Sequence, residues 1–109
     1  MKISRLAAVL ATALMLGTAG SALAQSAWDQ AHPRRAEVNG RLANQNRRIH
    51  QEVRTGEITR TQAHRLHRQD RAIRHEERAM ARRNGGAITP REQHTLNRQE
   101  NAVGREIGH

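Results

Sequence analysis

Gly56-Glu57-Ile58-Thr59 returns thirty residues later as Gly86-Ala87-Ile88-Thr89, and the echo continues well beyond it. At the same offset His64 matches His94, Leu66 matches Leu96, Arg68-Gln69 matches Arg98-Gln99, and Asp70 matches Glu100. Ala72, Ile73 and Glu76 then match Ala102, Val103 and Glu106. The centre of the pattern also stands upstream as Leu42, Gln45, Ile49 and Glu52, giving three copies of L-x-x-Q-x-x-x-[IV]-x-x-E. A repeat of this kind restricts the chain to like units that bury their apolar faces against one another. The spacing is helical: Leu66, Ile73 and Met80 are seven apart and drift by only about 20° per step around a helix. Few residues are β-branched and strict alternation is missing, so the fold class is all-α.

The helix limits are written in the same segments. Thr59-Arg60-Thr61-Gln62 and Thr89-Pro90-Arg91-Glu92 read as capping boxes, with Pro90 at a first helical position where its missing N–H costs nothing. Gly56 and Asn84-Gly85-Gly86 read as helix stops. These signals predict amphipathic helices at about 33–54, 59–83 and 89–107, packed as a helical hairpin or small bundle. They form one domain over 33–109, with its repeat at 56–76 and 86–106. Gly40 weakens the first helix by roughly 1 kcal/mol relative to Ala. Residues 25–32 read as a flexible N-terminal segment.

Met1-Lys2-Ile3-Ser4-Arg5 carries two cations, Leu6 to Gly20 is uncharged and apolar, and Ala22-Leu23-Ala24 is a small-x-small site. This order reads as a cleaved signal peptide at 1–24 and a periplasmic destination. The apolar run is about 15–18 residues, short of the roughly 20 that span a bilayer, and nothing after Gln25 is apolar for longer. The chain has no Cys, which excludes disulfides, thiolate metal sites and a Cys nucleophile. Large apolar residues are few. Leu42, Ile49, Leu66, Ile73, Met80, Leu96 and Val103 form the core or an apolar contact stripe, thin enough to suggest a homodimer that shares it. Gln45, Gln69 and Gln99 on that stripe read as a polar layer that sets register when paired across helices.

The balance of 19 Lys+Arg against 10 Asp+Glu gives a net charge of +9. Arg60, His64, His67, Arg71, Arg74, His75, Arg78 and Arg82 fall on one side of the second helix, opposite Ile73. They form a partner-binding stripe for anionic groups, either acidic protein clients or anionic envelope components. Arg suits this because its planar fork grips carboxylates and phosphates, and histidine gains charge as pH falls toward about 5–6. Nucleic acid is disfavoured by the export signal and by the near absence of aromatic residues for base stacking. His64 and His67, one turn apart with Asp70 at the next step, form an alternative copper or zinc site. Arg60, Arg68 and Arg71 crowd it with positive charge. No Ser–His–acid order, phosphate-cradling loop or pair of buried carboxylates stands out. Glu76-Glu77 reads as an ion-pairing element beside the seam. The expectation is a protein that is not an enzyme and carries no cofactor.

Ile58-Thr59-Arg60-Thr61-Gln62 and Ile88-Thr89-Pro90-Arg91-Glu92 resemble the LTxxQ motif of the CpxP/Spy group of periplasmic stress proteins. Ile and Glu stand at places where that motif has Leu and Gln. The resemblance implies an all-helical, stress-related or chaperone-like binding protein. The same segments are similar in spacing to EF-hand loops, with Gly56, Ile58 and Gln62, and Gly86, Ile88 and Glu92, at places six, eight and twelve. Places one, three and five lack carboxylates, so the likeness implies loops that pair through Ile58 and Ile88 without holding calcium. Together these readings give a small basic periplasmic binding protein. A histidine-based metal binder and an anionic-lipid binder are the alternatives.

Overall fold

The computed structural model describes residues 24–107, and every regular element among them is helical. The expected signal peptide lies outside the described residues apart from Ala24. Residues 24–31 are helical (α1, as far as it is described) and belong to a unit of their own. The sequence reading placed no helix over this segment. Ala and Gln are good helix formers, and Gln25 Nε2 donates to Asp29 Oδ1 one turn on, at 3.4 Å. The break comes only at His32, because the residue before a proline is pushed out of helical geometry.

The second unit, His32–His109, holds α2 (Pro33–Thr55), α3 (Arg60–Arg83) and α4 (Pro90–Glu106). The helix limits agree with the sequence reading to within a residue. Gly56 ends α2 at φ 79, in the left-handed region that Gly enters without penalty, and its N–H donates to Val53 O at 3.2 Å. Thr59 and Thr89 then start α3 and α4 with the same chemistry. The N–H groups of Gln62 and Glu92 donate to the two threonine hydroxyls at 3.1 Å. Those side chains in turn accept the threonine N–H groups at 2.8 Å. Both capping boxes are complete.

All three helices pack on one another. Contacts between α2 and α3 run in opposite senses, from Arg35 with Glu77 to His50 with His67, so these two are antiparallel. Contacts between α2 and α4 run in the same sense, Glu37 with Gln93 and Gln45 with Glu100, as a three-helix up-down-up bundle requires. Leu42, Ile49, Leu66, Ile73, Met80, Leu96 and Val103 are all buried in its core, together with Val38, Ala63 and Ala81. Ile58 and Ile88 close the core at the two loops. Those loops sit at opposite ends of α3, 24 residues or about 36 Å of helix apart, so Ile58 and Ile88 do not pair as EF-hand loops would.

The polar layer also differs from the sequence reading. Gln45 is buried, and its amide donates to the Glu100 carbonyl at 2.6 Å. Gly104 packs beside it, where a Cβ would lie 3.4 Å from the Gln45 amide nitrogen, in ordinary van der Waals contact. In α3 and α4, however, the inward polar residues are Asp70, Glu77 and Glu100, while Gln69 and Gln99 are half-buried. Positions three and four after a leucine both lie on its face of a helix. Which one points inward depends on where the neighbouring helices stand.

Candidate functional site

Two adjoining clefts run along the α2–α3 seam and share His67. The cleft nearer the α2–α3 turn, of 550 Å³, is lined by His50, Val53 and Arg54 from α2 and by Arg60, Ala63, His64 and His67 from α3. The other, of 470 Å³, takes Asn46 and Arg47 from α2 and Arg71, Arg74 and Asp70 from α3, over a floor that includes Leu42 and Ala43. The result is a groove with apolar patches in its floor and cations on both walls. Asp70 is the sole carboxylate among its lining residues, and it is buried.

Five of the eight residues picked out on the second helix therefore lie in the groove: Arg60, His64, His67, Arg71 and Arg74. His75, Arg78 and Arg82 are exposed on α3 and line neither cleft. The sequence reading missed the other wall, Arg47, His50 and Arg54. Their spacing of three and four residues marks one face of α2, and this signal was available without a structure.

His67 is half-buried, and its ring lies 5.0 Å from that of His50 between centroids, tilted by 45°. Burial holds its pKa below the ordinary histidine value, and the charges of His50, Arg71 and His64 push it the same way. His64 and His67 are one turn apart as expected. Asp70, the third ligand of the expected metal site, is turned into the core instead. Two helical steps of three carry it about 120° around the helix from His64. Among the described residues no group of three or more His, Asp or Glu is placed to hold a metal ion.

The bundle also buries carboxylates that the sequence reading did not foresee. Glu77, 1% exposed, is paired with Arg35 from α2, whose other nitrogen donates to the Gly86 carbonyl at 3.0 Å. Glu100 is fully buried, with Arg41 at 3.8 Å as its cation. Arg41 also stands 3.8 Å from Glu37 and donates to Asn101. Neither oxygen of Asp70 or of Glu100 has a hydrogen-bond partner. Burial raises Asp70 to about 6 against the pull of Arg74. It raises Glu100 to about 8 against the pull of Arg41, with Glu37, Asp70 and Glu77 adding to the rise.

No helix among the described residues is long and apolar enough to cross a membrane. Family models, curated proteins and solved structures give no match to this chain.

Proposed function

We propose that this chain is a small exported, non-enzymatic binding protein whose α2–α3 groove docks acidic segments of protein partners, in a stress-related or chaperone-like role. The observation that carries the reading is convergence. Arg47, His50 and Arg54 of α2 face Arg60, His64, His67, Arg71 and Arg74 of α3 across one groove. Cations on two walls meet a carboxylate-bearing segment from both sides, and Arg can bind each carboxylate through two parallel N–H donors. Val53, half-buried, and Ala43, exposed, add apolar contact between the charges. The charge order of residues 1–24 supports export to the periplasm, and the LTxxQ-like segments support the stress-related part. The apolar stripe is buried within one chain, so the single chain is taken as the binding unit in preference to a dimer.

The test is fluorescence anisotropy of an Asp/Glu-rich peptide, with a neutral peptide of equal length and anionic lipid vesicles as competitors. Binding should weaken steeply with salt, because exposed charges are screened over about 10 Å at 0.1 M. It should also be lost in the Arg47→Gln, Arg71→Gln double variant. Equal binding of the neutral peptide would sink the reading, and selective displacement by vesicles would move it to an anionic envelope surface.

A second reading rests on the His50–His67 ring pair. It is a copper or zinc buffer that uses His50 with His67, with His64 beside them in the same cleft. Arg54, Arg60 and Arg71 oppose a cation there. Zinc titration followed by calorimetry separates the two readings: a metal buffer loses binding in His50→Ala, His67→Ala and keeps it in Arg47→Gln, Arg71→Gln.

A further inference from the structure

We propose that Glu100 and Asp70 are a proton-operated latch at the centre of the bundle, which packs tightly while they carry protons and loosens to bare its apolar stripe when they lose them. This rests on the core and not on what the groove binds. Glu100 is 0% exposed and Asp70 8%, and all four of their carboxylate oxygens lack a hydrogen bond. A buried carboxylate that accepts no hydrogen bond is strongly disfavoured, whereas its neutral acid is tolerated.

The surrounding charges do not remove that penalty. Facing Glu100 from α2 are Arg41, divided among Glu100, Glu37 and Asn101, Glu37 itself, and the exposed Arg48, which lines the same cleft as Glu100 together with the exposed Arg105 of α4. From α3 come two further carboxylates, Asp70 and Glu77, which repel it. Glu77 already holds Arg35. Asp70 has Arg74 on its own helix, with Arg47 of α2 and His67 and Arg71 of α3 lining the same cleft. Among the described residues the cation that ion-pairs with Glu100 is therefore Arg41, and it is shared with Glu37 and Asn101.

The sign follows from linkage. Folding raises the proton affinity of Glu100 above that of an ordinary glutamate, from 4.5 to about 8. Across that window the folded chain keeps a proton that the unfolded chain has released, so stability falls as pH rises and levels off above it. Asp70 acts the same way over the lower window from 3.8 to about 6. His67, with its pKa lowered from 6.5, acts in the opposite sense but only below that value. Between pH 6.5 and 8.5 the change therefore belongs to Glu100. Its size is on the order of tenfold in the ratio of folded to unfolded chain.

The experiment uses the full chain, with thermal unfolding by circular dichroism and bis-ANS fluorescence at pH 6.5 and 8.5. A lower Tm and brighter dye at pH 8.5, both flattened by Glu100→Gln, are expected. An unchanged Tm across the window, or the same change in Glu100→Gln, overturns the latch. Should Glu100→Gln not fold, Arg41→Gln decides instead. Removing the cation should shift the loosening midpoint to higher pH, and an unmoved midpoint overturns the proposal.

Discussion

Asp70 and Glu100 occupy the same position in two copies of the repeat, and each sends an unbonded carboxylate into the shared core. The equivalence predicts an unusual gain from an apolar substitution. Replacing buried ionic groups by apolar residues of similar volume is often neutral or stabilising by about 1–4 kcal/mol. Glu100→Leu should stabilise the bundle by about 1–3 kcal/mol at pH 8.5 and by less at pH 5, where the acid is neutral. Urea denaturation at the two pH values measures the difference.

Arg35 and Glu77 behave in the opposite way, because their charges meet. Glu77 is buried against Arg35, whose side chain is 18% exposed. Truncating one partner of such a pair strands the other and costs about 3–5 kcal/mol. Arg35→Ala should lose stability in that range, and the charge-removing double variant Arg35→Met, Glu77→Leu should recover most of it. A double-mutant cycle in urea provides the comparison.

The two capping boxes predict equal and additive losses. Thr59→Ala and Thr89→Ala each remove one side-chain acceptor from an orphan N–H, at about 1 kcal/mol. The caps sit at opposite ends of α3, so the double variant should lose about twice that. Denaturant midpoints read this directly.

Gly40 is exposed, within α2, and a Cβ added there meets nothing within 4 Å. Gly40→Ala should therefore raise stability by about 0.5–1 kcal/mol through helix propensity alone. Thermal unfolding at fixed pH is sufficient to detect it.

Docking should tighten on acidification. His67 starts neutral because burial and its neighbours lower its pKa. A bound carboxylate favours its charged form, so a proton is taken up on binding. Affinity for the acidic peptide should rise between pH 7.5 and 5.5, since His67 gains charge on binding and Asp70, raised to about 6 in the same groove, loses its own, and His67→Gln should remove part of that rise. Anisotropy titrations at pH 7.5 and 5.5 give the two values.

The fold was largely legible because its signals are local. Thr59 with Gln62 and Thr89 with Glu92 fix two helix starts within four residues each, and Leu66, Ile73 and Met80 fix a face. The acidic core was not legible, since Gln69 and Asp70 lie on the same side of the helix and only the positions of α2 and α4 decide which one is enclosed. Half of the groove was missed for a related reason. Arg47, His50 and Arg54 carry as clear a period as the α3 stripe, but a groove needs two helices, and their register across the seam is not a property of either one.

The Arg35 contacts have a consequence for the order of assembly. Glu77 and Gly86 lie 42 and 51 residues further along the chain. Loop-closure entropy favours closing the α2–α3 hairpin first at Gly56–Thr59, where the loop to be ordered is shortest, with its pairs then added outward from that turn. Arg35 stands at the open end. A grip on Glu77 and on the α3–α4 loop that forms after register is set would act on unfolding alone, so Arg35→Ala should speed unfolding in stopped-flow measurements and leave refolding nearly unchanged.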